Sequence, residues 1–136
     1  WKARGTGTFR TPLLLETTLD EPTGEPLTPL AHGTAKRVVA DETASARRSL
    51  LAGVVENGTG HDAALPETTT AGKTGTAQTG QFRDGVELKN SWFAGCVPAQ
   101  EPRWTIVVLQ DAQTEPLCSS ASIFAAVAEM LENTAP

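Results

Sequence analysis

No apolar run in this sequence approaches the roughly 20 residues that a helix needs to cross a bilayer. The chain opens Trp1-Lys2-Ala3-Arg4 with no apolar stretch behind it. No export signal is therefore recognisable, and any targeting segment is expected outside this chain. Clustered positive charge is also scarce. Net charge is −5, and no basic run is longer than Lys36-Arg37 or Arg47-Arg48. Phosphate contacts need a concentrated positive footprint, so no nucleic-acid partner is expected. The histidines, His32 and His61, find no third residue at ligand spacing, so no metal site and no cofactor are expected. Cys96 is placed near the end of one strand and Cys118 beyond the far end of the next. A strand of eight residues spans about 25 Å, whereas a disulfide holds its Cα atoms within about 7 Å. The two are not expected to pair.

What is present suits one domain. The 136 residues are 39% hydrophobic and 20% charged, enough to bury a core and ordinary for a soluble chain. Residues 1–35 are rich in Thr, Pro and Gly. Pro12, Pro22, Pro26 and Pro29 argue for loops and short extended pieces, with Leu13-Leu14-Leu15 as a short strand. Residues 41–57 read as a helix with Ala46, Leu50, Leu51, Val54 and Val55 on its apolar stripe. Asp41 or Thr43 would cap its start, and Gly58 would follow its end. Arg47, Arg48 and Glu56 would face water. Gly53 is a small cost to that helix or marks a close contact. Residues 58–68 read as a solvated loop, in which the neighbours His61 and Asp62 are not expected to work as a pair.

Three strands follow. Residues 69–79 carry glycines, Asp84-Gly85 marks a reversal, residues 89–97 form the next strand, and 103–111 the strongest. In that last strand both Trp104, Ile106, Val108 and Thr105, Val107, Leu109 are largely apolar sets, so it is expected to be covered on both faces. Short connections favour an antiparallel meander. Residues 119–132 read as a helix capped by Ser119 or Ser120, burying Ile123, Phe124, Val127, Ala128 and Leu131. The fold class is α+β.

The chemistry concentrates in Ala71-Gly72-Lys73-Thr74-Gly75-Thr76-Ala77-Gln78. A phosphate loop would need a glycine five positions before Gly72, where Glu67 stands instead. An acyl-substrate strand fits better. Lys73 offers a fixed positive charge, Thr74 and Thr76 offer hydroxyl donors to a carboxylate, and Gly75 leaves room for a ligand against the backbone. A backbone N–H beyond Gly75 can donate to a developing oxyanion, which is typically worth about 3 kcal/mol of barrier. For the bare triplet Lys-Thr-Gly, which recurs by chance, a Gly/Thr-rich edge strand with a solvated lysine is the favoured reading.

The resemblance extends further. GTFRTPLLLE, VVADETASARRSLLAGVVENGTG, AGKTGTAQ, NSWFAGCVP and PRWTIVVLQD, in that order, closely resemble the C-terminal portion of a penicillin-binding protein transpeptidase domain. The similarity covers about residues 5–132. Ala77-Gln78, Pro98 and Pro102 fit those transpeptidases better than class D β-lactamases or penicillin-sensing receptor domains. The resemblance implies a serine β-lactamase/transpeptidase-like fold and action outside the cytoplasmic membrane. It implies that Lys73 belongs to the active-site hydrogen-bond network. Thr74 and Thr76 would bind the terminal carboxylate of a peptidoglycan stem peptide or a β-lactam. The Thr76 N–H would be half of the oxyanion hole, and Trp92-Phe93 would pack. Such enzymes need a nucleophilic serine in Ser-x-x-Lys. Here Ser45, Ser49, Ser91, Ser119, Ser120 and Ser122 are followed three positions on by Arg48, Ala52, Ala94, Ser122, Ile123 and Ala125. Ser-x-Asn is absent too. The chain is expected to be inactive alone, and the strand at 103–111, lacking its family neighbour, to pair with a second copy or an upstream fragment. Two other readings stay open: a non-catalytic module that binds carboxylates or β-lactams, and a purely structural interaction domain.

Overall fold

The computed structural model describes residues 7–9, 11, 17–29 and 34–134. They begin with four short strands, β1 (Thr8–Phe9), β2 (Thr17–Leu19), β3 (Pro26–Pro29) and β4 (Lys36–Arg37). These pair as two small antiparallel ribbons, β1 with β4 and β2 with β3, as the proline-rich start implies. The expected strand at Leu13-Leu14-Leu15 lies outside the described residues. Helix α1 (Asp41–Asn57) follows, then a 3-10 turn (His61–Ala63). Three long strands, β5 (Ala71–Arg83), β6 (Val86–Val97) and β7 (Trp104–Gln113), lead to helix α2 (Ser120–Thr134).

The long strands form the expected antiparallel meander, in the order β5-β6-β7. β5 and β6 run past their expected ends because the hairpin between them is tight. Asp84 and Gly85 both have positive φ, 53° and 80°, the combination that matches a two-residue turn to strand twist. Register sets Thr74 opposite Phe93 and Phe93 opposite Val108. One position along, Gly75 lies opposite Trp92 and Trp92 opposite Leu109. Since side chains alternate along a strand, one face carries Thr74, Phe93, Ile106 and Val108. The other carries Lys73, Gly75, Trp92, Val107 and Leu109.

The first face makes the core. Phe93, Val97, Phe124 and Ala128 are buried there with Val55 and Ala63, and Trp104, Ile106 and Val108 pack against them. The rings of Phe93 and Phe124 meet at 4.8 Å, tilted by 58°. The α2 stripe is as expected, with Phe124 and Ala128 fully buried and Ile123, Val127 and Leu131 half-buried. Ser119 caps that helix by accepting the Ser122 N–H at 3.0 Å.

Four expectations need correction. β7 is covered on one face, not both: Val107 is 58% exposed and Leu109 43%, because α2 lies on the opposite face. In α1 the buried residues are Ala44, Ala52 and Val55, while Leu50 faces solvent. That helix crosses the start of β5 and touches it with small residues, so the bulkier leucine turns outward. Neither Asp41 nor Thr43 caps α1. Ala40 holds the cap position without a side-chain bond, and Asp41 instead pairs with Arg37 at 2.6 Å. Finally, His61 and Asp62 do meet, His61 Nε2 lying 2.9 Å from Asp62 Oδ1. The 3-10 turn brings the neighbours to one side. Both cysteines are free; Cys96 lies opposite Thr105 at the start of β7, and Cys118 follows the end of that strand.

Candidate active site

β5 emerges from the core within the lysine stretch. Ala71 and Gly72 are buried, Lys73 is exposed, Thr74 and Gly75 are half-buried and Thr76 is exposed. Ala71 is held by Ala52 of α1 and by Ala99, with Leu51 and Cys96 alongside. Burial pushes the Cys96 thiol above its ordinary range, an effect partly offset by the Arg48 charge. β6 covers one edge of β5, and among the described residues no strand pairs with the other. A ligand can therefore reach backbone groups on that edge.

Lys73 Nζ donates to Thr74 O at 2.9 Å and to Thr74 Oγ1 at 3.1 Å. Thr74 Oγ1 in turn lies 3.0 Å from Thr59 Oγ1. Among the described residues no carboxylate pairs with Lys73. A cation with neutral partners only is available to an incoming anion. The structure thus brings Lys73 and Thr74 into contact and keeps Gly75 and Thr76 next to them along β5.

The two glycines of the stretch have different reasons to be glycine. A Cβ on Gly72 would sit 2.4 Å from Phe93 Cζ and 3.0 Å from Ala94 O, so the core forbids it. A Cβ on Gly75 would meet only Trp92 Cβ, at 3.5 Å, an ordinary contact. The fold does not require glycine at 75, which leaves room for a ligand as its use.

Thr59 has no role in the sequence reading. The signal for it was present: a single threonine bracketed by Gly58 and Gly60, two residues that let a loop approach other backbone closely. The His61–Asp62 contact does not add a second catalytic centre. Ser119 Oγ donates to Asp62 Oδ2 at 2.7 Å, so the carboxylate stands between serine and histidine. A relay that activates serine needs the histidine in the middle. A cavity of about 130 Å³ opens between α1 and the loop after β6, lined by Ser45, Arg48, Ser49, Ala52, Ala99 and Gln100. None of these belongs to the lysine stretch, so this cavity is separate from the candidate site.

Comparison with known proteins shows the family. The chain is 33% identical over 108 residues to the stage V sporulation protein D of Bacillus subtilis, covering 77% of this chain and 16% of that protein. It is 37% identical over 112 residues to the penicillin-binding protein PbpB of Mycolicibacterium smegmatis, covering 70% and 17%. The chain thus spans about a sixth of the length of these relatives. Among solved structures, it superposes on the D,D-transpeptidase domain of a peptidoglycan glycosyltransferase from Eggerthella lenta. The TM-score is 0.72 at 30% identity, covering 96% of this chain and 29% of that one. Residues 5–129 match the family model of the penicillin binding protein transpeptidase domain, and the chain belongs to that family.

Proposed function

We propose that this chain is the C-terminal part of a D,D-transpeptidase that cross-links peptidoglycan stem peptides, and that its β5 edge receives the peptide's terminal carboxylate. The observation that carries this is Lys73 beside Thr74 on an open strand edge, next to a glycine the fold does not need. The Lys73 ammonium attracts the carboxylate. The hydroxyls of Thr74 and Thr76 donate to its oxygens, each such bond to a charged group being worth about 1.5–3 kcal/mol when shielded and less at this exposed edge. Gly75 lets the substrate backbone lie against the strand, and the Thr76 N–H stabilises the oxyanion that forms at the attacked carbonyl. A β-lactam presents a carboxylate and a strained carbonyl to the same groups.

The attacking hydroxyl is not supplied here, because no serine of this chain stands in Ser-x-x-Lys. The chain alone therefore binds such ligands without forming a covalent acyl-enzyme. The complete protein acts on the outer side of the cytoplasmic membrane, where its polymer substrate lies. Among the described residues no helix is long and apolar enough to cross a membrane. The nucleophile would come from an upstream transpeptidase segment that pairs with the β7 edge and also reaches the open β5 edge.

Intact-mass analysis after incubation with benzylpenicillin, with Lys73→Ala in parallel, tests this directly. The expected result is an unchanged mass in both. A stoichiometric adduct on the unaltered chain that disappears in Lys73→Ala would mean that a serine here is activated, and the inactive-fragment reading would fall.

A further inference from the structure

We infer that Thr59 is a positioning residue for the carboxylate site: it fixes the direction in which the Thr74 hydroxyl proton points. The inference rests on the reading of the β5 edge given above. A threonine hydroxyl has one proton to donate and two lone pairs to accept with. An ammonium group can only donate. The 3.1 Å contact between Lys73 Nζ and Thr74 Oγ1 therefore occupies one Thr74 lone pair. Thr59 Oγ1 lies 3.0 Å from the same oxygen. When Thr59 donates, both lone pairs of Thr74 are filled. The Thr74 proton is then left the one remaining position about the oxygen, where no described partner takes it and a ligand can accept it. When no ligand is bound, the Thr59–Thr74 bond can reverse, so the Thr74 proton is never without a partner. Thr59 thus accepts the Thr74 proton's hydrogen bond until an arriving carboxylate replaces it, and then donates to Thr74.

The loop that carries Thr59 is built to hold it in place. The N–H groups of Gly58 and Gly60 both donate to Val54 O, at 3.1 and 3.0 Å. Gly60 O accepts the Ala63 N–H at 2.9 Å. A Cβ on Gly58 would lie 2.9 Å from Val54 O, and one on Gly60 3.3 Å from Phe93 Cε2 and from Val54 Cγ1. The two residues flanking Thr59 are therefore pressed onto the last turn of α1 and onto the ring at the centre of the core. Thr59 itself is exposed, so nothing in the packing requires its hydroxyl. Its one hydrogen bond among those described goes to Thr74.

The test is equilibrium binding of an N-acyl-D-alanyl-D-alanine to the 136-residue chain, with Thr59→Val, Thr59→Ser, Thr74→Val and Lys73→Ala. Loss of one hydrogen bond that positions a donor to a charged group should weaken binding about fivefold to tenfold in Thr59→Val. Thr59→Ser, which keeps the hydroxyl, should bind within about twofold of the unaltered chain, since its donor is intact. Because Thr59 acts through Thr74, Thr59→Val should cause no further loss in a Thr74→Val background. Unchanged binding in Thr59→Val, with binding lost in Lys73→Ala, would overturn the role of Thr59 and leave the carboxylate site standing. Equal losses in Thr59→Val and Thr59→Ser would also overturn it, since shape and not the hydroxyl would then matter. No binding by the unaltered chain, or no loss in Lys73→Ala, would sink the carboxylate site and the role of Thr59 with it.

Discussion

Phe93 determines which glycines this fold can spare. Its buried ring would meet a Cβ on Gly72 at 2.4 Å, on Gly95 at 2.9 Å and on Gly60 at 3.3 Å. Three glycines far apart in sequence thus serve one aromatic side chain. Gly72→Ala should destabilise the chain by about 1–3 kcal/mol, the usual cost of overpacking a dense core. Gly75→Ala should change stability by no more than about 0.5 kcal/mol, as expected where no clash arises, while weakening ligand binding. Thermal melting of the two variants beside a binding titration checks this. Equal melting losses would show that both glycines are structural. The sequence could not separate these residues, because Gly72 and Gly75 sit in one motif and the ring that distinguishes them lies on the next strand. Lys73, Thr74 and Thr76 stand out in the sequence because the longer run around them resembles a family motif, and the structure brings Lys73 and Thr74 into contact. Thr59 does not stand out, since its only described bond, to Thr74, spans a loop that periodicity does not describe.

At the scale of elements, the helices and long strands follow from local pattern. Alternation, turn residues and a capping serine act over a few positions, and the structure keeps α1, the meander and α2 within a few residues of expectation. The details that differ depend on partners. The α1 pattern offered Leu50 for burial, yet a leucine on either side of that helix completes a stripe, and only the contact with Ala71 and Ala99 decides between them. Gly53 had two readings, a small cost or a close approach. A Cβ there would meet nothing within 4 Å, so the cost remains and the close approach is absent. Gly53→Ala should therefore stabilise the chain by about 0.8–1 kcal/mol, the propensity difference within a helix, observed as a higher denaturant midpoint with unchanged slope. A lower midpoint would mean that α1 depends on the missing side chain.

On the scale of the whole molecule, the sheet face away from α2 is covered by α1 only near the start of β5. Trp92, Val107 and Leu109 lie exposed on the face away from α2, and among the described residues β7 is an edge strand. Apolar residues on both faces of β7 imply a strand covered twice, and the described residues supply one cover. A free apolar edge offers unpaired backbone groups to another chain, so the chain is expected to associate with itself in the absence of an upstream partner. Sedimentation velocity across a range of concentrations should show dimers or larger species. A single monomeric boundary at every concentration would argue against the exposed edge as an interaction surface. Substituting Leu109→Lys should shift the population toward monomer, because a charge on the uncovered face opposes burial.

The central claim is that the β5 edge is a carboxylate site, and residue-resolved amide chemical shifts during titration with an N-acyl-D-alanyl-D-alanine test it most directly. The account predicts saturable shifts at Thr74, Gly75, Thr76 and Thr59, with little change along α2. No shifts at those amides, or shifts confined to the cavity beside Ser45 and Arg48, would contradict it.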